Sequence, residues 1–194
     1  MVAPWPDHLV TLDEWDALPE DTSRHYELVE GVLIVSPKPQ PTHQRAVQRL
    51  ASWVDEQLPK DLTAIIDIEI TVAQDPPIVR APDVTIITSH AVDSGRARID
   101  ASEVLVAVEI ISPGSARTDR LVKPIEYADA GIPAYWLIDL DEPVSLTAYT
   151  LTEGDYHVDQ EVTGAFTSSF PAAVTVNLTD LTTREVSRSG PGSR

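Results

Sequence analysis

The chain has 194 residues, 42% of them hydrophobic and none of them cysteine. That length buries roughly two thirds of the unfolded surface without covalent staples, and the missing cysteine excludes disulfides, thiolate zinc sites and a cysteine nucleophile. Fourteen Lys and Arg against 31 Asp and Glu give a net charge of −17, which argues against broad electrostatic capture of nucleic acid.

The opening, MVAPWPDHLV, has no basic region, and no apolar run reaches the length of a membrane span. A cytoplasmic protein with no membrane partner is expected. The charge is unevenly spread: residues 124–183 contain ten acidic side chains and no Lys or Arg, whereas residues 1–123 contain eleven basic ones. An anionic substrate must therefore meet the first two thirds of the chain.

In chain order, Thr11 with Glu14 three residues later marks a capped helix start. Tyr26–Val29 and Val32–Ser36 read as two strands around a Glu30-Gly31 turn. Three prolines at 37, 39 and 41 impose an extended connector. Ala46, Leu50, Trp53, Val54 and Leu58 then form the apolar stripe of a helix from Thr42, its N-cap, to Leu58. Leu62–Val72 reads as one β run and Pro82–Thr88 as another. Val104–Ile111 is apolar nearly throughout, as a central strand covered on both faces must be.

Asp119–Ala130 has helical period and ends at Gly131-Ile-Pro133. Ala134–Asp139 is a further strand, Val144–Thr150 and Tyr156–Val162 form a hairpin, and Ala173–Leu178 adds a last strand. Trp53 and Trp136 read as core residues. Residues 1–183 are expected to form one α/β domain, followed by a disordered Ser/Gly/Arg-rich tail over 184–194.

Polar residues that interrupt apolar strands carry the chemistry. Asp83 follows Pro82 at a strand start, and Glu109 lies inside VLVAVEII, where an unpaired carboxylate is costly. Lys123 follows on the next helix. Two carboxylates from neighbouring strands with a nearby ammonium are the minimum set for metal-assisted phosphodiester hydrolysis. Taken singly, each has a plainer role. Glu109 pairs with a structural donor, Asp83 serves a turn, and Lys123 forms a surface ion pair with Asp119 four residues earlier.

The segments YELVEG (26–31), SPKPQPTHQ (36–44), APDVTII (81–87), VAVEIISPGS (106–115) and DRLVKPIEYADAGIPAYWLID (119–139) together narrow the choice. On them the chain resembles the Uma family of restriction-endonuclease-like proteins, a branch of the PD-(D/E)xK nuclease superfamily, over roughly Thr11–Asp139. The resemblance implies an α/β (α+β) fold, with a mixed central sheet in a restriction-endonuclease-like core and flanking helices, to which the C-terminal β-hairpin read from the sequence is added. It also implies a DNA endonuclease dependent on Mg2+ or Mn2+, with Asp83 as the PD aspartate and Glu109 as the second acid.

Ile111 stands where the superfamily has its strand lysine. The branch supplies that lysine from the following helix, which points to Lys123, expected within about 6 Å of Asp83 or Glu109. Glu30 is a candidate third metal carboxylate, or else a solvated turn residue. His43, beginning the long helix, is a candidate for reaching a phosphate or water, or else a surface or helix-capping residue. Ser112 reads as a turn residue, and Tyr127 is placed to pack or hydrogen-bond near the site.

Two other functions compete with cleavage: a nuclease fold that binds without cutting, or a structural homodimer, and hydrolysis of a small phosphoester. Two-strand cutting needs two active sites, so a homodimer is expected, with the 144–162 hairpin and its aromatics Tyr149 and Tyr156 as candidate interface.

Overall fold

In the computed structural model, which describes residues 7–19 and 24–183, the first helix is capped as its sequence predicts. Thr11 accepts the backbone N–H of Glu14 into α1 (Leu12–Asp16), and the Glu14 carboxylate accepts the N–H of Thr11. β1 (His25–Val29) and β2 (Val32–Ser36) follow. Glu30 and Gly31 between them both have positive φ, 50° and 79°, the geometry whose twist matches a two-residue hairpin.

α2 (Pro41–Asp55) starts two residues earlier than expected, with Gln40 rather than Thr42 at the N-cap. Pro41 takes the first helical position, where its missing N–H costs nothing. Ala46, Leu50 and Val54 are buried on its inner stripe, and Trp53 packs half-buried at its edge.

The run 62–72 is not one strand. β3 (Leu62–Ile66) and β4 (Glu69–Gln74) are separated at Asp67, whose φ of 53° turns the chain into a different sheet. β5 (Pro77–Arg80), β6 (Val84–Thr88), α3 (Ser89–Asp93) and β7 (Arg98–Asp100) lead to β8 (Val104–Ile110). The predicted continuous helix over 119–130 is instead a wide π-helical turn, Thr118–Val122, followed by α4 (Lys123–Asp129). Pro124 lies in the first turn of α4, where a backbone donor is dispensable.

The remaining elements are β9 (Ala134–Asp139), β10 (Ser145–Thr152), β11 (Asp155–Thr163), β12 (Ala165–Ser168), β13 (Val174–Asn177) and α5 (Thr179–Thr182). The predicted tail from Arg184 lies outside the described residues.

Three sheets result. The largest has the order β11-β10-β9-β8-β6-β3, the second β2-β1-β5-β4-β7, and β12 pairs with β13. Pairing is antiparallel except for β8 with β9 and β4 with β7. β8 is central in the six-stranded sheet, as its unbroken apolar run requires. Val106, Val108 and Ile110 pack toward α2, β12 and β13, while Ala107 packs on the opposite face with Tyr127, Tyr135 and Leu137. Glu109 shares that second face with Ala107, by strand alternation.

Tyr149 and Tyr156 are not free interface aromatics. Both stack on the buried Tyr135, at centroid distances of 5.8 and 5.9 Å, and the Tyr156 hydroxyl donates to the Ile132 carbonyl at 2.8 Å. No helix among the described residues is long and apolar enough to cross a membrane.

Candidate active site

β6 and β8 run antiparallel with Val84 opposite Val108. This register sets Asp83, the residue just before β6, beside the end of β8. The Ile110 N–H donates to Asp83 Oδ2 at 2.7 Å, which ties the carboxylate to the residue following Glu109. Glu109 is 3% exposed, and a carboxylate so buried needs partners. It has two: Lys123 Nζ lies 2.7 Å from Oε1, and the Tyr127 hydroxyl donates to the same oxygen at 2.9 Å. Lys123 and Tyr127 are one helical turn apart and so reach Glu109 together. Lys123 thus reaches Glu109 from α4, well inside the expected separation.

Asp119 joins from the π-helical turn, with Oδ1 3.2 Å from Lys123 Nζ. This is no surface pair: Asp119 and Lys123 are 1% and 6% exposed. Packing of the wide turn against β9 explains the burial, for the Tyr135 hydroxyl donates to the Asp119 carbonyl at 2.8 Å.

The structure does not bring Glu30 into this cluster. The positive-φ turn leaves it exposed, whereas alternation along β1 turns Glu27 inward on the face opposite Leu28. Glu27 Oε1 lies 3.7 Å from Lys123 Nζ, and its Oε2 accepts from Arg80 Nη1 at 2.9 Å. Arg80, 2% exposed, also clasps Glu126 through Nε and Nη2, both at 2.8 Å. Arg80 lies three residues before Asp83, and Glu126 three after Lys123. One guanidinium therefore ties the segment bearing the aspartate to the helix bearing the lysine.

Neither Glu27 nor Arg80 stood out in the sequence. The available signal was Arg80 itself, a charged residue closing an apolar strand beside the PD pair.

His43, in the first turn of α2, is buried. Its Nε2 donates to the Ile110 carbonyl at 2.8 Å and lies 3.2 Å from Asp83 Oδ2. It does not cap α2, whose N-cap is Gln40. Its Nδ1 is buried without a hydrogen-bond partner among the described residues. Ser112 serves the turn after β8, with its hydroxyl 2.8 Å from that of Ser115.

The cluster holds more carboxylates than permanent cations: Asp83, Glu109, Asp119, Glu27 and Glu126 against Lys123 and Arg80. Burial, opposed by the Lys123 charge and reinforced by Asp83 and Asp119, pushes the Glu109 carboxyl up to about 8. Burial likewise raises Asp119 against the pull of Lys123. For Lys123, burial alone would favour the neutral amine, but the charges of Glu109, Glu27 and Asp119 outweigh it and hold the ammonium. Burial also opposes protonation of His43, and the hydrogen bond to Asp83 with its charge reverses that, so the net shift is upward. One ammonium cannot balance the carboxylates of Glu109, Asp119 and Glu27 around it, so the coupled group as a whole holds a proton above the usual carboxylate range.

Asp83, Glu109 and Lys123 are thus placed at the end of β8, in a mixed sheet flanked by helices. The chain belongs to the family described as "Uma2: Putative restriction endonuclease", whose model matches residues 12–182. A solved structure described as "a putative nuclease belonging to DUF820 from Anabaena variabilis ATCC 29413" has the same fold, with a TM-score of 0.69 at 22% identity. The similarity covers 89% of this chain and 97% of that one. No curated protein matches the chain.

Proposed function

We propose that the protein is a divalent-metal-dependent nuclease that hydrolyses DNA phosphodiester bonds, with Asp83 and Glu109 as metal ligands and Lys123 as the charged group of the catalytic set. The observation that carries this is the 2.7 Å contact between Lys123 and Glu109 beside Asp83. It completes an Asp/Glu/Lys set although the lysine comes from a helix.

Among the described residues no three His, Asp or Glu side chains form a ready-made metal cage. The donor set still suits Mg2+ or Mn2+. The hydrogen bonds of the site engage Oδ2 of Asp83 and Oε1 of Glu109, leaving the second oxygen of each for a cation. Mg2+ typically takes one or two carboxylates and completes its shell with waters and substrate phosphate. The local excess of carboxylates over cations is the charge balance that a divalent ion corrects. Glu30, exposed at its turn, is left out of this set.

A bound divalent ion supplies Lewis-acid polarisation of the phosphate and a more acidic water. The chain's own groups do the rest. Lys123 and Tyr127 fix the Glu109 carboxylate, and the Ile110 N–H fixes that of Asp83. The Lys123 ammonium provides positive charge where negative charge grows on the phosphate oxygens. His43 keeps a proton on Nε2, between the Ile110 carbonyl and Asp83.

Supercoiled plasmid incubated with Mg2+ or Mn2+ tests this. Wild type should nick or linearise it, and Glu109→Gln should not. Intact plasmid with the wild-type protein in both metals would overturn the cleavage assignment in favour of binding without cutting or of a smaller phosphoester substrate.

A further inference from the structure

Sheet edges expose unpaired backbone donors and acceptors, and proteins usually blunt them with charge, shortness or a covering group. Three of the four edges of the two large sheets are blunted in this way. β11 carries Asp155, His157, Asp159 and Glu161 on its exposed positions. β7 is only three residues long, and its Arg98 pairs with Asp16. On β3 the Asp55 carboxylate from α2 accepts the Ala64 N–H at 2.9 Å and the Thr63 hydroxyl at 2.8 Å.

β2 is the exception. Val32-Leu33-Ile34-Val35-Ser36 has no charge and no proline, pairs only with β1 among the described residues, and leaves Val32 49% and Ile34 38% exposed. We propose that β2 is the pairing edge of a homodimer, in which two copies join antiparallel about a two-fold axis at Ile34 and merge their five-stranded sheets into one.

The strand is suited to its own copy. In a chain of net charge −17, self-association requires a surface free of acid, and β2 is the sheet edge that provides one. Register supports the same axis. The two-residue turn makes Val29 and Val32 a hydrogen-bonded pair, so in the alternating ladder Ile34 bonds inward to β1, while Leu33 and Val35 point their N–H and C=O outward. Centred on Ile34, each outward pair meets its complement: Leu33 of one copy faces Val35 of the other. Ile34 meets its own counterpart as a non-hydrogen-bonded pair, with Cα atoms about 4.5 Å apart. The exposed apolar side chains of Val32 and Ile34 are covered by the same step.

Glu27 lies directly across from Ile34 in β1. The two Glu27 backbones would then sit three strand spacings apart, about 14 Å, with both charged clusters on one face of the merged sheet. That arrangement suits the two-fold related strands of a duplex. The dimer itself does not depend on the nuclease assignment.

Light scattering of the full chain at tens of micromolar tests the proposal. Wild type should have twice the 21.2 kDa chain mass. Ile34→Lys and Val32→Lys should each return it to a single chain mass with unchanged far-UV circular dichroism, while Val158→Lys on β11 stays dimeric. Because the chain lacks cysteine, Ile34→Cys provides a second readout: mild oxidation should give a disulfide-linked dimer, and Val158→Cys should not. A monomeric wild type, a dimer that survives both β2 lysines, or a dimer dissociated by Val158→Lys would overturn the proposal.

Discussion

Replacing Arg80 with methionine should destabilise the fold by about 3–5 kcal/mol, the range for breaking a buried ion pair from one side. Arg80 is 2% exposed and makes three hydrogen bonds of 2.8 to 2.9 Å to Glu126 and Glu27. Its loss strands two carboxylates in a region already rich in them. Arg80→Lys should recover only part of the stability, because an ammonium cannot make the two-pronged contact to Glu126. Adding Glu126→Leu to Arg80→Met should also restore part of it by removing one stranded charge. Urea denaturation of the three variants checks this. A loss below about 1 kcal/mol for Arg80→Met, the range of an exposed pair, would show that the clasp carries little of the fold.

Lys123→Ala should reduce cleavage by roughly two orders of magnitude or more, the scale for removing a group that stabilises transition-state charge. Metal binding should survive, since the ammonium is not a ligand. The contact of 2.7 Å to Glu109 and the flanking Asp119 and Glu27 make this lysine the centre of the local field. Its removal should also leave Glu109 more readily protonated. Single-turnover cleavage at saturating Mg2+ separates the chemical step from binding. Cleavage at the wild-type rate would return Lys123 to a purely structural role.

The parts of the fold that the sequence made legible are those where one local rule dominates. The apolar run at 104–110 places β8 at the centre of its sheet, and Glu30-Gly31 places a hairpin turn. The run LTAIIDIEITV misleads because it is apolar on both sides of Asp67. Only the positive φ of that residue divides it between two sheets, and hydrophobic pattern carries no information about φ. β5, β7 and β12, at four, three and four residues, are too short for a period to register.

At the site, Asp83 and Glu109 are legible because one opens an apolar strand and the other interrupts one, and Lys123 because the family resemblance seeks its lysine on the following helix. The supporting shell is not. Glu27 and Glu30 both lie in YELVEG, and what separates them is strand alternation into a turn whose exact position decides which one faces inward. Asp119 read as the surface partner of Lys123 because an i, i+4 pair has the same spacing whether it is solvated or buried. The π-helical turn that buries it has no sequence signature beyond Pro124 downstream.

The central claim is that Asp83 and Glu109 together hold a divalent ion, and calorimetric titration of Mg2+ into the protein tests it most directly. Burial raises the Glu109 carboxyl well above the usual carboxylate range, so near neutral pH it holds a proton that the ion must displace. Binding should therefore release a proton, visible as a heat that changes with the ionisation enthalpy of the buffer. Affinity should rise with pH while Glu109 still holds its proton and level off once the carboxyl is ionised. Asp83→Asn and Glu109→Gln should show no binding heat. An Asp83→Asn protein that binds Mg2+ as tightly as wild type, or a wild type that takes up no Mg2+ at pH 8.5, would contradict the account.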